Sequence, residues 1–387
     1  MTTLTRYAAL RSPLLQLHWF FILCVLLGCK EFDQDFPHEL LRYTLPERVE
    51  ELGQTLARRF DRSLSHYYLV GTHNEQKTLA RLFALLDQEA PEQTQLAVIR
   101  EITSIYLRLE EYGVLINFLT AHRQQHPNDP YNAYYLLAIA HSHIRREENA
   151  VAALYFDMIL KNYPDLTLQG KSIHLACLNR LINLVDDPEQ QVMYYQELIA
   201  RFSDKIDMGI SYFMLGQACE RIGDWNRALE AYNNYLAYRG TIVPGFPSAD
   251  YYAKQLVDFN NSDKNWTFER LSSLVSAIKT AFDAGSSNQL QRYQATVNFF
   301  TRSWGEEIAD DEGMAELSLS VFMSSRLIRY ADTLDAGSNA NEAYLRTTGW
   351  ERDISTWYLY FRKIYFPPDP EIHGRWEWAG VYYGERF

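Results

Sequence analysis

The sequence predicts a mainly α-helical protein with a smaller α+β domain at its C-terminal end. Two observations lead to this prediction. Apolar residues recur at helical spacing through residues 47–260, most regularly at 209–238, where two short helices would fold against each other. After residue 261, runs of β-branched and aromatic residues between Gly, Pro and Asn turns indicate the strands of an antiparallel sheet.

The hairpin at 209–238 has a recognisable pattern on each of its two helices. One face of the first helix carries Tyr212, Leu215, Gly216 and Cys219. The inner face of the second carries Ala228, Ala231, Tyr232 and Leu236. Gly223 and Asp224 between them favour a turn and a helix cap. This pattern resembles the tetratricopeptide repeat (TPR), which implies a TPR-like α-solenoid that binds a protein or peptide partner.

Related units precede this hairpin, with starts near Leu96, Tyr131 and Gly170. In the unit at Leu96, the places of Tyr212, Leu215 and Cys219 are taken by Ile99, Ile102 and Tyr106, and the second helix presents Leu115 and Leu119. In the unit at Tyr131, the first helix presents Tyr134, Leu137, Ala138 and His141, and the second presents Ala150 and Leu154. Four such units are sufficient for a stable stack, because each buries its open face on the next.

The TPR resemblance also implies which side chains line the concave groove. They are Arg100, Ser104, Arg108, Asn132, Tyr135, His143, Phe213, Gln217 and Arg221. Arginines among aromatic residues favour a peptide or another carboxylate-bearing ligand, since guanidinium pairs with carboxylate and stacks on rings. The alternative is that these are ordinary residues of a helical surface. The family's Lys and Asn carboxylate clamp is not reproduced here.

The N-terminus has the features of a bacterial lipoprotein signal peptide, residues 1–28. Arg6 and Arg11 precede an apolar run at 14–28, which is shorter than a spanning helix requires. The run ends in Leu26-Leu27-Gly28-Cys29, which resembles a lipobox and implies lipidation of Cys29. Residues 29–46 would tether the fold to a membrane of the cell envelope. An uncleaved signal anchor and a cleaved secretory signal are the alternatives.

Charge and cysteine content restrict the possible partners. The formal net charge is -12 with no long basic run, so nucleic acid is not an expected partner. Cys177 and Cys219 fall on apolar helix faces and are expected to be buried thiols, with a bridge between them as the alternative. No paired His and Cys spacing suggests a metal site, and no cofactor is expected.

The region 261–387 forms the second predicted domain, following a repeat domain at 47–260. A helix at 249–259 is expected to end the repeat domain, and helices at 268–283 and 289–301 are expected in the second domain. Strands are expected at 317–323, 327–334, 342–348, 356–366 and 375–383.

A cluster of aromatic residues marks the C-terminal domain as a possible second binding site. Its tryptophans are Trp350, Trp357, Trp376 and Trp378, which could stack on sugars or enclose an apolar ligand. The alternative is a Trp-rich core. The nearby loop with Asp369, Glu371 and His373 has the composition of a surface turn.

Two functional hypotheses follow from these patterns. The first is a lipid-anchored envelope scaffold that binds a protein or peptide through its repeats. The alternative is a lipoprotein that binds a small molecule or glycan with its aromatic C-terminal domain. A cell-wall enzyme that uses the loop with Asp369, Glu371 and His373 is a weaker hypothesis. The sequence has no GxSxG, no HExxH, no P-loop and no Gly-rich dinucleotide turn, and we expect that the protein is not an enzyme.

Overall fold

The computed structural model describes residues 41, 68–87, 91–238, 240–304, 319, 328–351 and 354–385. The predicted signal peptide, Cys29, the tether except for Leu41, and residues 47–67 at the start of the predicted repeat domain lie outside these residues. The chain divides between Leu198 and Ile199 into two compact units. We describe each unit by itself.

The first unit is a succession of helices, each from α1 to α5 packing against the next one along the chain. They are α1 (His73–Leu86), α2 (Glu92–Arg108), α3 (Tyr112–Gln125), α4 (Asn132–Arg145), α5 (Asn149–Asn162), α6 (Ile173–Leu184) and α7 (Pro188–Phe202), the last of which runs across the division. A two-stranded hairpin, β1 (Thr167–Leu168) and β2 (Lys171–Ser172), precedes α6.

Local sequence signals account for where several of these helices begin. Thr72 and Glu75 form a capping box at the start of α1, each side chain accepting a backbone N–H of the other. The Ser172 hydroxyl accepts the N–H of Leu175 and caps α6. Helix α4 lies deepest, with every residue from Asn132 to Ser142 buried, which explains its nearly continuous apolar sequence.

The described residues of the second unit include five helices and a five-stranded sheet. The helices are α8 (Met208–Arg221), α9 (Trp225–Tyr235), α10 (Ala249–Asn261), α11 (Leu271–Asp283) and α12 (Ser287–Tyr293). The strands are β3 (Phe300–Ser303), β4 (Arg329–Tyr330), β5 (Glu342–Thr348), β6 (Trp357–Lys363) and β7 (Trp376–Tyr383). Their order across the sheet is β3-β7-β6-β5-β4. The predicted class, mainly helical with a C-terminal sheet, is confirmed.

The sheet corrects the prediction that all strands are antiparallel. Strand β3 pairs with β7 in the parallel direction, whereas the other three pairs are antiparallel. The helix expected at 289–301 ends at Tyr293, and the chain then runs along the edge of β7, with a bridge from Gln294 to Trp378. The direction of an edge strand depends on this tertiary route and leaves no mark in the local pattern.

The other predicted strands agree with the structure to different degrees. Strand β5 has the expected limits, and β6 and β7 lie inside the predicted segments. Of 327–334, only Arg329–Tyr330 forms a strand. The predicted strand at 317–323 lies outside the described residues except for Leu319, which is helical and buried.

One face of the sheet packs against α11 and makes the main core of the second unit. Leu274, Ile278 and Phe282 of α11 meet Leu345 of β5 and Leu359 of β6. A second apolar cluster joins the hairpin of α8 and α9 to the end of the sheet where β6 connects to β7. In this cluster Leu229 of α9 packs with Ile364, Phe366 and Ile372 of that connection. This cluster therefore contains residues from both predicted domains, 47–260 and 261–387.

Three helix hairpins share one turn geometry. Glu110, Glu147 and Gly223 each have a positive φ, of 59°, 63° and 77°. In each turn, the following residue donates its N–H to a carbonyl five residues earlier, at 2.9 Å in all three cases: Glu111 to Tyr106, Glu148 to His143 and Asp224 to Cys219. This bond is typical of a Schellman helix end. Glu147 follows Glu110 by 37 residues, and Gly223 follows Glu147 by 76, twice 38, so the turns recur at a nearly constant period.

Within the described ranges, no helix is both long enough and apolar enough to cross a membrane.

Candidate functional site

Helix α2 carries three of the predicted groove residues along one face, four residues apart. Arg100 is only 6% exposed and its guanidinium lies 5.8 Å from the centre of the Tyr134 ring. Ser104 is half-buried and Arg108 is exposed. Only the C-terminal end of this face is therefore open to a ligand, and Arg100 belongs to the packing between α2 and α4.

Helix α8 shows the same gradient of exposure. Phe213 is buried, with ring contacts to Tyr232 and Tyr235 at 5.6 and 5.2 Å between centroids. Gln217 is half-buried and donates its Nε2 to the Tyr232 hydroxyl at 2.9 Å. Arg221 at the end of the helix is exposed. As in α2, the last turn offers the open side chain.

The predicted groove residues on α4 support a loop instead of forming an open surface. Asn132, which is 1% exposed, donates its Nδ2 to the carbonyls of His126 and Pro127, at 3.1 and 3.0 Å. The buried Tyr135 donates its hydroxyl to Asp129 at 3.1 Å. Burial raises the pKa of the Asp129 carboxyl, but hydrogen bonds from His122, Tyr131 and Tyr135 outweigh burial, so its pKa is lowered overall. Asn132 and Tyr135 thus fix the α3–α4 connection.

The third predicted groove residue on α4, His143, is half-buried and engaged within its own hairpin. Its Nδ1 lies 2.6 Å from Glu148 Oε2, and its ring stacks on Tyr155 at 5.3 Å.

The shared turns show that the predicted alignment of the α4/α5 hairpin with residues 209–238 is wrong by two residues. The carbonyls of His143 and Cys219 accept the same turn hydrogen bond, from Glu148 and Asp224 respectively. His143, and not His141, therefore occupies the position of Cys219. On the second helix, Phe156 is fully buried, whereas Leu154 is 67% exposed. Ala152 is buried and Ala150 is exposed. Helix α5 has apolar residues on every side, so a register shifted by two satisfied the pattern equally well.

The corrected alignment brings in a residue that the sequence analysis missed. Arg145 corresponds to Arg108 and Arg221, and all three are exposed in the last turn of a first helix. Arg145 donates its Nε to the Tyr112 hydroxyl at 3.1 Å, with its guanidinium 6.0 Å from that ring's centre. A short motif contains it: Arg-x-(Glu/Gly)-(Glu/Asp) occurs at 108–111, 145–148 and 221–224, and also at 48–51, which lies outside the described residues. We call Arg108, Arg145 and Arg221 the turn arginines.

A half-buried carboxylate, Glu220, lies beside one turn arginine, Arg221. Glu220 Oε1 accepts the hydroxyls of Tyr232 and Tyr252, at 2.7 and 2.9 Å. Burial raises the pKa of Glu220, although the two tyrosine hydrogen bonds act in the opposite direction. Burial and the neighbouring Glu220 also raise the pKa of both tyrosines. This network connects α8, α9 and α10.

The four tryptophans predicted as a ligand site lie in the core of the second unit. All are buried, and Trp350 stacks on Trp357 at 5.7 Å between centroids. The indole N–H groups of Trp350, Trp357 and Trp378 donate to Thr347 Oγ1, the Ile354 carbonyl and the Gly380 carbonyl. Of the two interpretations, the Trp-rich core agrees with the structure and the aromatic ligand site does not: these four rings pack the inner face of the sheet, where aromatic area contributes most to stability.

The remaining candidate groups are structural as well. His373 Nδ1 accepts the N–H of Phe366 at 3.1 Å, and Asp369 Oδ1 accepts the N–H of Glu371 at 3.1 Å, so both side chains order the β6–β7 connection. Cys177 and Cys219 are free and buried. Burial raises the pKa of the Cys219 thiol to about 11. Among the described residues, no group of three or more His, Cys, Asp or Glu is arranged to hold a metal ion.

Comparisons with known proteins do not identify a family for this chain. No protein-family model matches it, and no curated protein matches it. The geometry of its own hairpins is therefore the basis for a functional proposal.

Proposed function

We propose that this chain is a lipid-anchored scaffold of a bacterial cell envelope, whose TPR-like hairpins bind an acidic protein or peptide partner. In this proposal Cys29 carries the lipid, and the turn arginines supply the contacts to carboxylates of the partner. Repeated helix pairs are commonly used for extended protein-binding surfaces. The protein would act by holding its partner at the membrane.

The observation that carries the proposal is the recurrence of an exposed arginine at the same place in three hairpins. Arg108, Arg145 and Arg221 each lie two residues before the positive-φ position of a shared turn. Guanidinium suits this role, because it forms two parallel hydrogen bonds to a carboxylate in a fixed geometry. The preference for an acidic partner follows from this repeated side chain and not from net charge, which is -12 for the chain.

A purely structural role would also place a cation at these positions. The last turn of a helix carries partial negative charge, and a cation there contributes about 0.3–1 kcal/mol. That contribution does not require arginine in particular, since lysine supplies the same charge. The experiment must therefore separate loss of stability from loss of binding.

The test is cross-linking in the native cell, followed by identification of the proteins recovered with the anchored chain. A variant with Arg108→Gln, Arg145→Gln and Arg221→Gln should lose the partners recovered by the wild type. The matched control is Lys77→Gln, Lys205→Gln and Arg292→Gln, which removes the same charge at exposed positions outside the shared turns. A further variant, Cys29→Ser, should leave the membrane fraction and incorporate no labelled fatty acid.

Circular dichroism and a melting temperature for each variant separate folding from binding. Equal recovery of partners by the turn-arginine variant and the control would refute binding through these residues. Fatty-acid labelling of Cys29→Ser would refute the anchor independently of the binding result.

The alternative function, binding of a solute or glycan by the tryptophan cluster, is not favoured by the structure. Each of the four tryptophans is buried, so none presents a ring face to a ligand.

A further inference from the structure

The outer side of α5 carries an exposed apolar stripe. Val151, Leu154 and Met158 are exposed, and they follow one another at intervals of three and four residues, so they share one face of the helix. Exposed apolar residues that are scattered singly are normal on a protein surface. A contiguous stripe on one face instead marks a surface where another molecule binds. We call these three residues the α5 stripe.

The hairpin does not need this stripe in order to fold. The two other hairpins with the same turn have a polar residue at the position of Leu154. Asn117 lies 37 residues earlier, in α3, and Glu230 lies 76 residues later, in α9. Both of these side chains are exposed, and both helices bury an inner face as α5 does. The α5 stripe is therefore a separate feature, which requires an explanation other than hairpin stability.

The spacing of the stripe is that of a coiled-coil seam. In the heptad notation abcdefg, Val151 and Met158 take a positions and Leu154 takes the d position between them. The next d positions on either side are Glu147, just before α5, and Lys161, in its last turn. Valine at a with leucine at d favours the pairing of two helices. The stripe is therefore shaped to pack against one further helix.

The charges at the two ends of the stripe indicate which helix this is. Glu147 lies seven residues before Leu154, Lys161 lies seven residues after it, and both are exposed. If a second α5 packs antiparallel, Glu147 of each copy comes opposite Lys161 of the other, and the two Leu154 side chains meet at the centre. A parallel pair would place like charges opposite each other at both ends, which is unfavourable. The stripe is thus complementary to itself, as a twofold interface requires.

Both end charges remain accessible in the single chain. The ammonium of Lys161 lies 2.6 Å from Asp157, but its side chain is still 68% exposed and can meet a second carboxylate. At the other end, Arg146 pairs with Glu148 at 2.9 Å, so this cation already has a partner of its own. Glu147 therefore adds negative charge at the end of the stripe that a second Lys161 would reach.

We propose that two copies of this chain associate through α5, antiparallel, about a twofold axis at Leu154. The stripe supplies the apolar contact, and Glu147 and Lys161 form an ion pair with the other copy at each end. A single helix face is smaller than the ~1,000 Å² that a stable interface usually buries, so the dimer is weak in dilute solution. It forms where copies of the chain are concentrated. This association uses none of the turn arginines and does not depend on the lipid anchor proposed above.

A cysteine at the centre of the stripe tests the pairing. In the purified full chain, mild oxidation of Leu154→Cys should link two copies through the new cysteine, because each copy places it on the twofold axis. The matched control is Glu230→Cys, at the corresponding exposed position of α9. The disulfide-linked dimer should be several-fold more abundant for Leu154→Cys, and peptide mapping should find the new cysteine on both sides of the bond. Equal yields would show that something other than a second copy covers the stripe, and would refute the proposal.

A charge exchange tests the antiparallel register, with the yield of the Leu154→Cys dimer as the measurement. Adding Lys161→Glu should lower the yield several-fold, because carboxylates then face each other at both ends. Adding Glu147→Lys as well should restore it. The two positions are 14 residues apart in one chain, about 21 Å along a helix, so this rescue requires a second copy.

The control for net charge is Lys205→Glu, which makes the same change at an exposed position outside α5 and should leave the yield unchanged. Circular dichroism establishes that each variant is folded. If Lys161→Glu leaves the yield unchanged, as a parallel pair would, or if the exchange does not restore it, the proposal is wrong.

Discussion

The hairpins α4/α5 and α8/α9 share a turn but differ on the outer side of the second helix. Their positions correspond at an offset of 76 residues, as the turns at Glu147 and Gly223 show. In α9 the outer positions are polar, with Arg227, Glu230 and Asn234. The corresponding residues of α5 are apolar and exposed: Val151, Leu154 and Met158 are 38%, 67% and 36% accessible.

This difference explains why the buried face of α9 could be predicted from the sequence, whereas that of α5 was predicted in the wrong register. A polar outer face makes the inner face of α9 obvious, since apolar residues recur only on one side. In α5 both sides are apolar, and periodicity alone cannot decide which of them is buried. The turn decides it, because the shared hydrogen bond fixes the register of both helices.

The largest expected effect tests this corrected register directly. Phe156→Ala should destabilise the protein by about 3–5 kcal/mol, because it removes a fully buried ring and leaves a cavity. The matched control, Leu154→Ala, should change stability by less than about 0.5 kcal/mol, since that side chain is 67% exposed. Urea unfolding of both variants is the measurement. A large loss for Leu154→Ala with a small one for Phe156→Ala would restore the register predicted from the sequence.

The second prediction exchanges the turn residues of the two hairpins. Glu147 holds a left-handed conformation that glycine adopts without steric cost, as Gly223 does in the other turn. Glu147→Gly should therefore stabilise its hairpin by up to about 1 kcal/mol, and Gly223→Ala should destabilise the other by a similar amount. Shifts in melting temperature of opposite sign are expected. Two shifts of the same sign would show that the side chains, and not the backbone, decide these turns.

Much of the fold could be predicted because its local signals agree with its packing. Strand β5 has the predicted limits, and Asp224 of the predicted turn caps α9, its side chain accepting the N–H of Arg227. The direction of β3 could not be predicted, because it depends on the path from α12 to the edge of β7. The same is true of the pairing between Trp266 and Glu377, residues 111 positions apart.

The candidate sites were harder to predict, since a residue type does not disclose its burial. Arg100 and Arg108 are both arginines of α2 on one face, yet the first is buried and the second exposed. Trp357 and Tyr358 are neighbours in β6, and a strand sends them to opposite faces of the sheet. The exposed arginine of α4, Arg145, required the correct register, which only the turn supplied.

The last prediction concerns an ionisable group that one hairpin has and the other lacks. Glu220, with Tyr232 beside it, corresponds to Ile144 and Phe156 in the α4/α5 hairpin. Because burial raises the pKa of Glu220 in the folded protein, the native state binds this proton more tightly than the unfolded chain does. Stability from this group is thus complete below its ordinary pKa of 4.5 and is lost as pH rises through the native value.

Glu220→Gln removes this loss of stability at high pH, because an amide does not ionise. Its amide oxygen can still accept a hydrogen bond from a tyrosine hydroxyl. The variant should match the wild type near pH 4 and exceed its stability at neutral pH by less than about 1 kcal/mol, since a partly exposed carboxylate is screened by solvent. Urea unfolding from pH 4 to pH 8 measures the difference, with Glu230→Gln on the exposed face of α9 as the control. A variant that is less stable than wild type at neutral pH would mean that hydrogen bonds from Tyr232 and Tyr252 to the charged carboxylate outweigh the cost of burying it.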